Sequence, residues 1–162
     1  MKSQQIKRML FAVLLVGWMT MIFAMSAQPA QQSSQLSGGL VSKIISVLYP
    51  NLSELSQSAQ TSIIHNTTLV VRKAAHFFEY FVLGVLAILT ANTFNKYKFF
   101  NRAVLATAFC VLYAISDEIH QHFVPGRACR FTDILIDSSG IIAAIFIISI
   151  IISRKRSGEQ NA

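Results

Sequence analysis

From Met9 to Met25 the chain reads MLFAVLLVGWMTMIFAM, a run without a single charge. At about 1.5 Å rise per residue this run is roughly 26 Å long as a helix, just enough to cross the apolar layer of a bilayer. A helix that is apolar all round has no face to turn to water, so it belongs in lipid. Three more apolar runs follow: FVLGVLAILTANT within a span from Leu69 to Thr93, AVLATAFCVLYAIS from Ala103 to Ser116, and the stretch from Ile134 to Ser153. With 53% hydrophobic residues, 13% charged residues and a mean hydropathy of +0.51, the pattern predicts an all-α membrane protein with four transmembrane helices. The lipid bilayer is then its first partner, and the cell membrane its multi-pass location. The competing reading of the first run is a secretory signal peptide, but the run exceeds an h-region of about 7 to 15 residues.

The formal net charge is +7, yet this does not point to nucleic acid, because Lys and Arg gather at the ends of apolar runs. Lys2, Lys7 and Arg8 precede the first run, Lys96, Lys98 and Arg102 lie in the turn Asn95 to Arg102, and Arg154, Lys155 and Arg156 follow the last. The opposite side holds Lys43, Arg72, Lys73, Arg127 and Arg130, four of which sit in polar motifs. The basic-residue rule therefore predicts that both termini are cytoplasmic and that the polar site faces the outer leaflet. Cys110 and Cys129 have no metal-site spacing and no obvious pairing.

The chain divides into an N-terminal span (1–25), an extracytoplasmic linker with short interfacial helices (26–68), a three-span core (69–156) and a cytoplasmic tail (157–162). In the linker, Ser26 to Gly39 is rich in Ser, Gln and Gly and predicts a flexible surface stretch. Leu40 to Tyr49 is apolar at helical spacing but too short to span, and Pro50 ends it, as in an interfacial helix. Ser53 to Asn66 predicts a second short helix after an Asn51 or Ser53 cap. His120 to Thr132 reads as a loop around the Pro125-Gly126 turn signal.

Two stretches concentrate the chemistry: RKAAHFFEY from Arg72 to Tyr80, and DEIHQHFVPGRACRFTDILID from Asp117 to Asp137. On a helix, Arg72, Lys73, His76, Glu79 and Tyr80 fall within an arc of roughly 120°. Asp117, Glu118 and Gln121 share one side of a second helix, and Asp133, Asp137 and Gly140 one side of a third. Gly140 and Ala144, four apart on that last face, form a small surface that lets another helix approach. In one bundle the three polar stripes meet at similar depth, and intramembrane charge is a functional-site hypothesis by default. Glu79, Asp133 and Arg127 are expected to be coupled there.

At these residues the chain resembles the VanZ-like family of small membrane proteins. The resemblance rests on RKAAHFFEYFVLG and DEIHQHFVPGRACRFTDILIDSSG, with WMTMIFAMSAQP at the first span's exit. The family's polar pattern falls on Lys73, His76, Glu79, Tyr80, Asp117, Glu118, Gln121, Arg127, Asp133 and Gly140. The resemblance implies a cell-envelope role and, as in the founding members, low-level resistance to teicoplanin, a lipid-tailed glycopeptide antibiotic. It names a family and not a reaction.

Three readings of the cluster stay open. The acids and bases are nearly balanced and could simply pin the helices together. Alternatively, Lys73, Tyr80, Gln121, Arg127, Asp133 and Asp137 form a pocket for a lipid-tailed or phosphorylated envelope ligand, a lipid or lipoglycopeptide, with the bases on its anionic group. In the third reading His76, Glu79, Asp117 and Glu118 are catalytic, with His76 and Glu79 as base and orienter or the set gathered around a divalent metal. Neither a cofactor nor a protein partner follows from these residues.

Overall fold

The computed structural model describes residues 2–94 and 98–160 and is helical almost throughout. The helices are α1 (Lys2–Ser26), α2 (Ala30–Leu48), α3 (Gln57–Asn92), α4 (Phe99–His122) and α5 (Phe131–Gln160), with a 3₁₀ turn at Leu52–Glu54. Of these, α1, α3, α4 and α5 are long and apolar enough to cross a membrane. The fold class is therefore an all-helical, four-span bundle.

The long helix α3 packs against every other helix. Its 36 residues would extend about 54 Å, well beyond a hydrocarbon layer of about 30 Å, so its first turns project out of the lipid. Contacts fix the helix directions. Ser26 meets Gln121 and Met19 meets Tyr113, so α1 and α4 run together. Arg8 meets Thr93 and Trp18 meets Glu79, so α3 opposes α1. On α5, Asp137 faces His76 and Ala144 lies at Gly84, which makes α5 parallel to α3. The start of α1 and the end of α5 thus lie at one end of the bundle, and the motif stretches at the other.

Glycine decides how closely α3 and α5 approach. A Cβ at Gly140 would run into the Phe77 carbonyl oxygen, and a Cβ at Gly84 would stand 3.0 Å from both Ala144 Cβ and the Ile141 carbonyl. The small face predicted at Gly140 and Ala144 does point inward, since both are buried. Around this seam Tyr80, Leu83, Ile88, Cys110 and Ile141 are fully enclosed, while Val13, Leu112, Ile142 and other large apolar side chains face outward, as lipid contact requires.

At the end opposite the motifs, the last carbonyls of α3 lack helical partners. Arg8 donates to the Thr93 carbonyl at 3.1 Å and stacks over the Phe94 ring, and Arg102 reaches the Asn92 and Phe94 carbonyls, each at 3.4 Å. Arg102 was expected in a turn. It is instead a buried residue of α4, because its positive charge suits the C-terminal end of α3. Asn95 and Lys96 of that turn lie outside the described residues.

Further boundaries differ from the sequence reading. The supposedly flexible stretch is helical from Ala30 onward, continuous with the interfacial segment. No local cap supports it; the Ala30 amide donates to the Pro125 carbonyl at 3.2 Å, so a distant turn starts the helix. The second short helix is no separate element but the opening of α3, capped by Ser56, which accepts from the Ala59 amide. Finally, α4 persists to His122, α5 starts at Phe131, and α5 continues to Gln160, past the expected end of the fourth span.

Candidate functional site

At its centre lies Asp117, 97% buried. Its Oδ2 accepts from Ser26 Oγ at 2.8 Å, Tyr80 Oη at 3.1 Å and Gln121 Nε2 at 3.1 Å. Helices α1, α3 and α4 thus converge on one oxygen, and Gln121 Nε2 also donates to Ser26 Oγ. Each donor is neutral, so burial of this carboxylate is offset by oriented dipoles and not by a cation.

Arg127 then joins the network to the loop. Its Nη1 donates to Gln121 Oε1 at 3.2 Å, its Nε to the Gln28 carbonyl at 3.0 Å, and its Nη2 to the Met25 carbonyl at 3.2 Å. The guanidinium fork therefore closes the end of α1, whose terminal carbonyls need donors. The loop that carries it turns at Pro125-Gly126: the Arg127 amide donates back to the Val124 carbonyl at 3.1 Å, and Gly126 has φ +75°. Proline second and a positive-φ glycine third is the type II turn pattern. Burial first, and then the like charge of Arg72, push the Arg127 guanidinium below its ordinary pKa, against the opposing pull of Asp117, Glu79 and Glu118.

One turn before Tyr80 on α3, His76 Nδ1 stands 3.5 Å from Asp137 Oδ1, which is ion-pair range and longer than a strong hydrogen bond. Glu118 is 99% buried and its Oε1 accepts the Arg130 amide, fixing the loop just before α5. Asp133 sits half-buried in the first turn of α5, where Thr132 donates to it at 3.3 Å. Among the described residues no direct bond joins Arg127 to Asp133 or Glu79; Arg127 shares a cavity wall with Asp133 and feels the charge of Glu79. Arg127 spends its bonds on two backbone carbonyls and an amide, all nearer the exit of α1.

None of the site's arginines or lysines pairs with a carboxylate. Among the described residues the cluster's closest approach of a basic to an acidic side chain is His76 to Asp137, an ion pair when His76 is protonated. The near-balance of charges in the sequence suggested mutual pairing, but Asp117, Glu118 and Asp137 turn into the bundle, whereas the bases lie on cavity walls with Asp133 and Glu79. A cavity of about 320 Å³ is lined by Arg72, Lys73, His76, Arg127, Arg130 and Asp133. A second, of about 420 Å³, lies between α2 and α3, with Ser33, Ser37, Thr68 and Glu79 on its wall, and it shares Arg72, His76 and Arg127 with the first. Both fall in the range of about 300–1,000 Å³ usual for small-molecule pockets.

The predicted residues thus separate into two layers. Lys73, His76, Arg127 and Asp133 line the first cavity, and Glu79 the second. Tyr80, Gln121, Asp117, Glu118 and Asp137 are buried behind them. Among the described residues no three His, Cys, Asp or Glu side chains gather in a metal-holding arrangement, so the idea of His76, Glu79, Asp117 and Glu118 around one ion has no geometric support. Ser26 escaped sequence reading altogether, since a serine beside a Ser- and Gln-rich stretch carries no signal. Trp18 and Tyr113 also bind backbone carbonyls across helices, Trp18 that of Glu79 at 2.9 Å and Tyr113 that of Met19 at 2.6 Å.

The fold and this site define a small multi-pass membrane protein whose helices bury a polar network beneath a cation-lined cavity at one end. The chain belongs to the VanZ/LLP1 family, whose family model matches residues 11–152. That match reaches into all four spans and covers both motif stretches. No curated protein and no solved structure is detectably similar to it.

Proposed function

We propose that this chain binds an anionic, lipid-tailed or phosphorylated ligand of the cell envelope, and that it does so at the outer leaflet of the cell membrane. One observation carries this reading: Arg72, Lys73, Arg127 and Arg130 share a cavity wall with a single carboxylate, Asp133. Unpaired cations clustered beside a bilayer repel each other, a cost that an incoming phosphate or carboxylate relieves through charge-assisted hydrogen bonds. Lys73 and Arg127 hold the anion, and Asp133 orients the bases at the rim. Tyr80, Gln121 and Asp137 act from behind as positioning residues. The basic-residue rule supports cytoplasmic termini, which puts the cavity outside. Low-level glycopeptide resistance of the teicoplanin type fits this reading, through capture of a lipid-tailed envelope component.

The test is the lipid that the protein carries. Extracted from membranes in mild detergent and analysed by mass spectrometry, the wild-type protein should be enriched in phosphate-bearing anionic lipid over the bulk membrane. Arg72→Gln with Lys73→Gln should lose that enrichment. Bound lipid that mirrors the bulk composition in both proteins would overturn the reading.

One contact favours a second reading, a membrane-embedded enzyme acting on an envelope lipid or precursor. His76 lines both cavities and faces the buried Asp137, so a base and its orienter are present, with Asp137 in the role expected for Glu79. His76→Gln keeps polar bonding but removes the titrating group. Loss of the envelope phenotype with lipid binding and abundance intact would favour catalysis. Unchanged phenotype and binding would leave the binding reading alone.

A further inference from the structure

The two cavities differ in chemistry, and that difference names a ligand. The first has four cationic side chains against one carboxylate. Beyond the shared Arg72, His76 and Arg127, the second offers the hydroxyls of Ser33, Ser37 and Thr68 and the carboxylate of Glu79. A carboxylate accepts hydrogen bonds from hydroxyls and repels a second phosphate. Ser37 and Thr68 already donate their hydroxyl hydrogens to the Ser33 and Ile64 carbonyls, so their oxygens, like Glu79, present acceptors to a ligand's hydroxyl groups.

Resting on the binding reading above, we propose that the ligand is a lipid phosphodiester whose head group carries several hydroxyls. Its phosphate sits among Arg72, Lys73, Arg127 and Arg130, and its polyol extends past Arg72 and Arg127 into the cavity beneath α2. Because His76 and the two arginines border both cavities, one continuous head group can occupy both. The α2 wall supplies selectivity, and the cationic wall supplies attraction. This gives a purpose to a helix that no side-chain cap supports and whose first half sequence periodicity left out: α2 from Ala30 to Gly39 carries Ser33 and Ser37 to the cavity.

The experiment compares soluble dioctanoyl phosphatidylinositol, phosphatidic acid and phosphatidylcholine as ligands of the purified full chain in detergent. Extra hydrogen bonds from the polyol hydroxyls should favour the inositol lipid over phosphatidic acid by about tenfold. Ser33→Leu with Ser37→Leu fills the second cavity and should abolish this preference while phosphatidic acid binding stays within about twofold, a change too small to signify a lost hydrogen bond. Glu79→Gln, which conserves volume, provides the same test should the leucine variant not fold, and should cut the preference severalfold. Equal affinity for the inositol lipid and phosphatidic acid in the wild type would overturn this inference and leave anion binding standing. Binding of phosphatidylcholine as tight as the inositol lipid, or no binding of either anionic lipid, would overturn both.

Discussion

Tyr80 on α3 donates its phenolic hydroxyl to Asp117 Oδ2 on α4 over 3.1 Å, with both residues at least 97% buried. The bond ties the two helices at the depth where Ser26 of α1 reaches the same oxygen. Tyr80→Phe removes one of three donors and leaves the ring packing intact. It should cost about 1–2 kcal/mol. Asp117→Ala, which strands Ser26, Tyr80 and Gln121 together, should cost more. Thermal unfolding in detergent reads both, and equal stability of all three proteins would refute the convergence of α1, α3 and α4 on this carboxylate.

The seam between α3 and α5 predicts a contrast between two glycines. Gly140→Ala drives a methyl into the Phe77 carbonyl, whereas a methyl at Gly17 would meet nothing within 4 Å beyond its own helix backbone. The first substitution should destabilise by about 1–3 kcal/mol through overpacking. Gly17→Ala should be neutral or stabilising by up to about 1 kcal/mol, because alanine is the better helix former. The same unfolding assay would contradict this packing if the two variants behaved alike.

Arg127 closes the site by its fork. Arg127→Gln should expose the chain where its partners lie, so amide hydrogen exchange should quicken at 26–30 and 123–130 while the α3–α5 seam keeps its protection. Arg127→Lys should not restore slow exchange, since a single ammonium cannot serve two carbonyls and an amide in one plane. Unchanged exchange in the glutamine variant would show that the loop is held by something else, such as the Glu118 bond to the Arg130 amide.

Orientation is tested separately. A cysteine at Gly38, in α2 and exposed, should react with a membrane-impermeant maleimide added outside intact cells, while a reporter fused after Arg156 should be active only in the cytoplasm. A Gly38→Cys variant that is labelled only after the cells are opened would reverse the proposed topology.

Much of this architecture is legible in the sequence, for reasons that also explain where the reading stops. Uncharged apolar runs mark the spans because lipid tolerates few other sequences, and intramembrane acids mark the site because their cost demands a purpose. The inward face of Gly140 and Ala144 follows from helical spacing. By contrast, the early part of α2 is built of Ser, Gln and Gly, whose local preference does not specify a helix. It forms because the Pro125 carbonyl meets the Ala30 amide, a contact between residues far apart in the chain. The unbroken start of α3 was hidden because its polar opening and apolar continuation look like different elements. Charge counting found near-balance but could not show that Asp117 would bond to Ser26, Tyr80 and Gln121, leaving Arg72 and Lys73 on a cavity wall.

That segregation is the centre of the account, and anion affinity measures it most directly. Dioctanoyl phosphatidic acid should be titrated into the purified protein in neutral detergent, beside an Arg72→Gln, Arg130→Gln variant of matched thermal stability. The wild type should bind, more weakly as salt rises, and the variant should bind at least about tenfold more weakly, the equivalent of one charge-assisted hydrogen bond at about 1.5–3 kcal/mol. Equal affinity in the two proteins, or wild-type binding indifferent to salt, would contradict it.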